Sequence, residues 1–241
     1  MVRWRAGVHN KSCMPHHKAH GTSSPEHYDC TRFVFGDRWQ FAVECEVQDC
    51  DLDPWGSREP FGSFWLWAGG QIVGNTEVAE QLIHAFAPLY LVGNTSGERK
   101  ASGVPGASCL DKLDFIGWLR FGEDADFDPG RWGGRDILQL RQLDLTRFEV
   151  MPRAYSPFHD GWEAVVLEDR EHEVFIWRRW SGDVDETYDL SLPLGDFSRV
   201  VAQAVDWFRS FRRSRIGSED TVSSDRPAYV ERSDDPRFAG I

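Results

Sequence analysis

This chain lacks the features that mark membrane-spanning and secreted proteins. Its apolar runs stop at a charge or a proline after a few residues, whereas a membrane-spanning helix requires roughly 20 apolar residues in succession. Residues 1–29 contain histidine, lysine, serine and proline where a secretory signal has an apolar run and a cleavage site of small residues. We therefore expect a soluble chain that stays in the cytoplasm and has no membrane partner.

Cysteine is scarce and odd in number. The chain has five cysteines, and a chain of this length buries enough core to fold without disulfides. The sequence therefore predicts reduced thiols in a reducing compartment. The cysteines are Cys13, Cys30, Cys45, Cys50 and Cys109.

The motifs of several large enzyme families are also absent. The chain has no G-x-S-x-G and no H-E-x-x-H. Residues 93–100 are rich in phosphate-loop residue types but lack the spacing that directs backbone amides and a lysine at one phosphate. His84 falls on the polar side of a predicted helix and His159 in a predicted loop, where a lone histidine is usually solvated. We predict no enzymatic activity, no catalytic residue and no cofactor.

The chain does have apolar side-chain area and negative charge. Hydrophobic residues make up 41% of the sequence and tryptophan occurs 11 times, which favours a well-buried core. The formal net charge is −12, and residues 31–216 contain 20 basic and 31 acidic groups, a charge of −11. Such a surface repels nucleic-acid phosphates and attracts basic proteins. We therefore expect a protein partner and no nucleic acid.

The sequence divides into one predicted domain and two ends. Residues 1–31 are rich in histidine and have no periodic apolar pattern, which predicts a disordered leader. Residues 216–241 are mainly serine, aspartate, arginine and proline, which predicts a disordered acidic tail. Residues 32–215 form the predicted domain. The sequence indicates no particular oligomeric state.

Strand-forming runs occur along the predicted domain, several of them alternating between apolar and polar residues. Gly36-Asp37 and Ala68-Gly69-Gly70 separate neighbouring runs, which indicates hairpins. The predicted strands are Phe33–Phe35, Gln40–Val47, Phe64–Trp67, Gln71–Val73, Arg147–Met151, Trp162–Leu167 and Val174–Trp180.

Apolar residues at helical spacing predict three helices. Asn75 or Thr76 would cap the first helix, which Pro88 should end or kink. A shorter helix follows Ser108, and the clearest one covers residues 197–211, where apolar residues recur at i, i+3, i+4 and i+7. Hairpins with helices between and after them predict the α+β class, an antiparallel sheet with packed helices.

Two acidic loops supply the candidate partner-binding residues. Their alternating carboxylates resemble a calcium loop, but Pro54 and Pro129 stand where that loop requires glycine. Pro60 and Arg135 stand where it requires glutamate. We therefore interpret both loops as accessible negative charge for a basic partner. The candidate residues are Asp49, Asp51, Asp53, Glu123, Asp124, Asp126 and Asp128.

Two other functions stay open as alternatives. Loop carboxylates such as Asp51 and Asp126 would be the acid and base of a carbohydrate-active or other hydrolase. Paired cysteine and histidine ligands near the start of the chain have spacing that suits tetrahedral zinc, as in a metal-binding accessory protein. Those ligands are Cys13, His16, His27 and Cys30.

Several short motifs occur in the order of a known family. They are Phe35-Gly36-Asp37 before Phe41-Ala42-Val43-Glu44, the aromatic and glycine run 61–74, Asp160-Gly161-Trp162, Ile176-Trp177-Arg178 and Pro193-Leu194-Gly195. With these motifs the chain resembles the immunity protein 42 family of bacterial polymorphic toxin systems over roughly residues 33–211. The resemblance implies a cytoplasmic α+β protein that binds and neutralises a cognate toxin, without a cofactor or catalytic residues. Together with the charge, it suggests a basic toxin domain, such as a nuclease, whose active site becomes blocked.

Overall fold

The fold is described from a computed structural model of the chain. The structure describes residues 9–13, 28–121, 130, 140, 142–152, 156–181 and 184–216. No helix in these ranges is long and apolar enough to cross a membrane.

The described strands form two antiparallel sheets. The strands of sheet A are β1 (His9–Cys13), β2 (Tyr28–Gly36), β3 (Phe41–Gln48), β4 (Phe61–Ala68), β5 (Gln71–Val73) and β6 (Glu80–Gln81). Their order is β1-β2-β3-β4-β5, and β6 also pairs with β4. The strands of sheet B are β7 (Glu149–Met151), β8 (Trp162–Glu168), β9 (His172–Ser181) and β10 (Val184–Pro193), in the order β10-β9-β8-β7.

Three α-helices of the described residues pack on these sheets. They are α1 (Ile83–Asn94), α2 (Cys109–Phe121) and α3 (Asp196–Ile216). Short 3-10 turns occur at Ala101–Gly103, Leu145–Arg147 and Pro157–His159. The predicted α+β class, with hairpins and packed helices, is confirmed, although the strands form two sheets instead of one.

The larger core lies between the two sheets and helices α1 and α3. The helical period of α3 places its apolar residues on one side, and that side is buried. Phe208 of α3 stacks on Phe86 of α1 with ring centroids 4.3 Å apart. Phe41 of β3 lies 4.8 Å from Phe197 of α3 and 5.3 Å from Phe175 of β9, so this core joins both sheets.

A smaller core covers the other face of sheet B. Leu113, Phe115 and Ile116 of α2 are fully buried with Val165 of β8 and Ile176 of β9. The central strands β8 and β9 are therefore covered on both faces and place apolar residues in both cores.

The first predicted helix begins later than expected and continues past the proline. Gly74 adopts a φ of +121°, and the N–H of Asn75 donates a hydrogen bond to the C=O of Phe158, so no helix starts there. Residues 80–81 pair with β4 instead. Pro88 lies inside α1 and does not end it, because a proline removes only its own N–H and the residues around it are buried.

Besides β6, two strands were not predicted. The first, β1, pairs with β2 through backbone hydrogen bonds and lies in the segment expected to be a disordered leader. The other, β10, pairs with β9 along its whole length. Its acidic residues Asp185, Glu186 and Asp189 are untypical of strands and obscured its alternation. The limits of the domain, 32–215, stay a prediction.

Candidate partner-binding surface

The loop between β3 and β4, residues 49–60, is organised by Asp53. The carboxylate is buried, and its Oδ1 accepts hydrogen bonds from the backbone N–H of Trp55 at 2.9 Å and of Ser57 at 2.7 Å. Its Oδ2 accepts a hydrogen bond from Nε2 of Gln81 at 2.6 Å. Three donors on one carboxylate hold the loop in one shape, but they leave Asp53 inaccessible to a partner.

The same loop is attached to the end of α3. The carboxylate of Glu59 accepts two hydrogen bonds from Arg212, from Nε at 2.8 Å and from Nη2 at 2.6 Å. This bidentate geometry is the strongest form of such a pair. Arg215 donates a hydrogen bond to the C=O of Cys50. The two arginines fix the loop and also compensate part of its negative charge.

The predicted site residues therefore differ in their roles. Asp49 and Asp51 are exposed, as a direct contact with a basic partner requires. Asp53 is buried and supports the loop. The second predicted acidic loop lies outside the described residues, namely Glu123, Asp124, Asp126 and Asp128.

Two apolar residues of the loop were missed by the sequence analysis, which assigned most tryptophans to the core. Trp55 is 65% exposed and Leu52 is 51% exposed. The Trp55 ring packs edge-on against Phe61, with ring centroids 5.7 Å apart. A tryptophan between Pro54 and Gly56 in a polar loop was the available signal.

Sheet A has an outer face that points away from α1 and α3. Side chains alternate along a strand, and paired residues of neighbouring strands point the same way. The pairs Glu44–Trp65 and Trp67–Ile72 therefore share the outer face, because their neighbours on the same strands contribute to the larger core. Four residues of the outer face are buried, namely Ala42, Glu44, Phe61 and Trp65. The face also includes Arg32, Val34, Glu46, Ser63, Trp67 and Ile72.

The buried carboxylate of Glu44 joins the charged and aromatic groups of this face. Its Oε2 accepts hydrogen bonds from Nε of Arg38 and from Nε1 of Trp67, both at 2.7 Å. Its Oε1 lies 3.3 Å from Nη1 of Arg32. The guanidinium of Arg38 also lies 5.3 Å from the ring centroid of Trp67, within cation–π range. These contacts fix the rings in place.

The loop and the outer face, except for Arg32, fall within a stretch that matches a known family. The family model described as immunity protein 42 matches residues 33–207. The chain belongs to the immunity protein 42 family. The resemblance inferred from the motifs is thus confirmed, and membership of this family also confirms that the chain is not an enzyme. No curated protein and no solved structure matches the chain in the same comparisons.

In this member of the immunity protein 42 family, the predicted zinc site lacks one of its four ligands. Cys30 is disulfide-bonded, so the prediction of reduced thiols is wrong for this residue, and its sulfur is not a thiolate ligand. Cys45, Cys50 and Cys109 are free. Among the residues that the structure describes, no group of three or more histidine, cysteine or acidic side chains could hold a metal ion.

The hydrolase alternative has no assembled acid and base in the described residues. Asp51 is exposed at the loop surface, and Asp126 lies outside the described ranges. The match to a family that is not enzymatic also speaks against this alternative.

A buried ionic network lies where β8, β9 and the start of α3 meet. Arg99 donates hydrogen bonds to Glu168 at 2.7 Å and to Glu173 at 2.7 Å, and all three side chains are fully buried. Burial alone would raise the pKa of Glu168, but the N–H of Gly97 and the guanidinium of Arg99 outweigh it and hold that pKa below its usual value. Glu173 also accepts the N–H of Phe197 at 2.8 Å, which attaches the start of α3 to β9. The network therefore links the start of α3 to strands β8 and β9.

His159 is buried as well, which corrects its predicted position in a solvated loop. Burial lowers the pKa of His159 to about 3, with a smaller contribution from His84, although a backbone hydrogen bond with Pro152 raises it. The imidazole is therefore neutral at physiological pH. Nδ1 of His84 lies 2.9 Å from the carboxylate of Glu80, four residues earlier in the sequence.

Proposed function

We propose that this chain binds a cognate toxin of a polymorphic toxin system and neutralises it by covering the active site of the toxin. The observation that carries the proposal is the match to the immunity protein 42 family over residues 33–207. A rigid scaffold with an exposed loop suits a protein that acts by binding.

The charge of the chain supports a basic toxin domain, such as a nuclease, as the partner. Residues 31–216 have a charge of −11, and an acidic surface speeds the encounter with a basic one. Asp49 and Asp51 are exposed and would face the toxin, whereas Asp53 would act by holding the loop. We propose the same partner-facing role for Glu123, Asp124, Asp126 and Asp128.

We also propose that the immunity protein acts in the cytoplasm, where a toxin that attacks nucleic acids has its target. The free thiols of Cys45, Cys50 and Cys109 support this location, whereas the disulfide of Cys30 is more typical of an oxidising compartment. Thiol labelling of the chain in cell fractions tests the proposal. Recovery of the chain only from an extracytoplasmic fraction would contradict it.

The direct test of neutralisation uses the purified full chain and the toxin domain encoded beside its gene. We expect a stable complex and complete loss of toxin activity at equal concentrations. A toxin that stays active with the chain in excess would overturn the proposal.

The role of the loop charges needs a matched comparison. Asp49→Asn combined with Asp51→Asn should slow association with the toxin, whereas Glu77→Gln combined with Asp206→Asn, two exposed acidic residues outside the loop, should slow it less. Stopped-flow mixing at several salt concentrations measures these rates. Equal rates for the two double variants would exclude a local role of the loop.

A further inference from the structure

The loop between β3 and β4 presents large apolar side chains to solvent. Leu52 is 51% exposed and Trp55 is 65% exposed, and Pro54 between them is exposed as well. A turn keeps them close together, because the N–H of Gly56 donates a hydrogen bond to the C=O of Asp53 at 3.0 Å. Single exposed apolar residues are common, but neighbouring ones on one loop indicate a contact surface. We name Leu52, Pro54 and Trp55 the apolar tip.

The apolar tip is fixed before any partner arrives. Within it, Asp53 accepts a hydrogen bond from the N–H of Trp55 at 2.9 Å. The Trp55 ring packs edge-on against the buried Phe61, with ring centroids 5.7 Å apart, and most of its surface stays exposed. Arg212 of α3 holds the end of the loop through Glu59. Fixed side chains lose little entropy on binding, and tryptophan is among the residues most enriched where binding energy is concentrated at protein interfaces.

The exposed charges beside the apolar tip differ on its two sides. Asp49 and Asp51 are exposed and come directly before Leu52 in the chain. The loop has one cation, Arg58, which is exposed on the other side of the tip in the sequence. Because residues 31–216 have a charge of −11, the protein as a whole attracts a basic partner. Basic groups of that partner would then meet the two aspartates.

We propose that the apolar tip is the anchor with which the chain docks on the toxin, and that it fits an apolar pocket bordered by lysine or arginine side chains. This inference rests on the proposed function. A standard interface covers about 800 Å² on each partner, which is more than one loop supplies. The tip is therefore the centre of the binding energy and not the whole interface.

The charges disfavour a second copy of this chain as the occupant. A two-fold dimer through the loop places the same surface of both copies face to face. Asp49 and Asp51 of one copy would then lie opposite those of the other, and like charges repel each other. A basic toxin surface brings no such repulsion.

The test compares matched pairs of exposed apolar residues. Trp55→Ala is paired with Trp39→Ala, which removes an 81% exposed tryptophan between β2 and β3. Leu52→Ala is paired with Leu194→Ala, which removes a 54% exposed leucine between β10 and α3. Each variant is titrated as the full chain with the toxin domain encoded beside the gene. Calorimetry measures the Kd, and thermal unfolding establishes that each variant is folded.

We expect Trp55→Ala to raise the Kd about tenfold or more and Leu52→Ala to raise it about threefold or more, whereas the two controls should change it less than about twofold. If the unaltered chain binds and the tip variants bind equally well, the anchor lies elsewhere and only this inference fails. If the unaltered chain does not bind the toxin, the proposed function fails first. If the chain is a dimer that Trp55→Ala dissociates without changing the Kd for toxin, the tip serves a second copy and the inference is overturned.

Variants of opposite charge test the border of the pocket. Asp51→Asn removes a carboxylate beside the apolar tip and should raise the Kd, because a basic group of the toxin loses its partner. Arg58→Gln removes the cation of the loop and should leave the Kd unchanged or lower it. The reverse order of the two effects would indicate acidic groups around the pocket and would overturn the inference.

Discussion

Replacing Arg99 by methionine removes the guanidinium that lies between two buried carboxylates. Arg99 donates hydrogen bonds to Glu168, Glu173 and Ser198 and to the C=O of Val92, at distances of 2.7–3.0 Å. The methionine fills much of the space but leaves both glutamates buried without their cation. Breaking a buried pair in this way costs about 3–5 kcal/mol, a large part of the roughly 5–15 kcal/mol that stabilises a typical domain.

Urea unfolding at pH 7 measures the decrease in the free energy of unfolding. For a slope of about 2 kcal/mol per molar urea, the midpoint should fall by roughly 2 M. The control is Lys100→Met, because Nζ of Lys100 lies 4.0 Å from Glu168 and its side chain is 60% exposed. An exposed charge of this kind contributes less than about 1 kcal/mol. A loss below about 1 kcal/mol for Arg99→Met would refute the reasoning.

The pH dependence of the stability of Arg99→Met distinguishes two causes of the loss, namely carboxylates left buried without a cation and lost packing. The lowered pKa of Glu168 stabilises the unaltered protein above the pKa of the unfolded chain, and this contribution is lost as the pH falls through the folded value. Without Arg99, burial should raise the pKa of Glu168, so the folded variant takes up a proton as the pH falls. The deficit of Arg99→Met should therefore shrink between pH 7 and pH 5. A deficit that is constant over this range would assign the loss to packing.

Three further predictions concern single residues. Because the pKa of His159 is lowered from 6.5 to about 3, only the unfolded chain takes up a proton in that range. Its contribution to the free energy of unfolding should fall by about 1.4 kcal/mol per pH unit below pH 6.5. His159→Leu should remove this slope in urea unfolding, and an unchanged slope would contradict the assignment. Asp53→Ala should lower the free energy of unfolding by about 1–3 kcal/mol, because three donors lose their acceptor. Asp49→Ala should change it by less than about 0.5 kcal/mol. Equal losses for the two variants would refute the supporting role of Asp53. Gly62→Ala places a Cβ 1.9 Å from a backbone oxygen of β3 and should lower the free energy of unfolding by about 2 kcal/mol or more. The control is Gly103→Ala, which has open space around the added Cβ and should lower it little. Similar unfolding temperatures for the two variants would contradict the close approach.

Helices and strands are predicted best from the sequence where only one side of the element is buried. Helix α3 was predicted over residues 197–211 and spans Asp196–Ile216, because its apolar residues keep a helical period on a charged background. Helix α1 is apolar on most sides, and residues between Gly74 and Ile83 contain capping types that the chain uses in a turn. Local propensity therefore placed its start too early.

The candidate surface was only partly predictable, for a physical reason. Asp49, Asp51 and Asp53 look alike in sequence, but only Asp53 meets the amides of its loop and Gln81 from beyond β5. The strand of Trp65 and Trp67 was predicted, yet alternation does not tell which face other elements cover. That depends on where α1 and α3 pack, which is a property of the tertiary fold.

The central claim is that this member of the immunity protein 42 family neutralises a basic toxin by binding it. The most direct measurement is titration of the toxin domain encoded beside its gene with the purified full chain, following toxin activity and association rate together. The account predicts loss of activity at a one-to-one ratio and an association rate that falls steeply as salt rises. Full toxin activity in the presence of excess chain would contradict it.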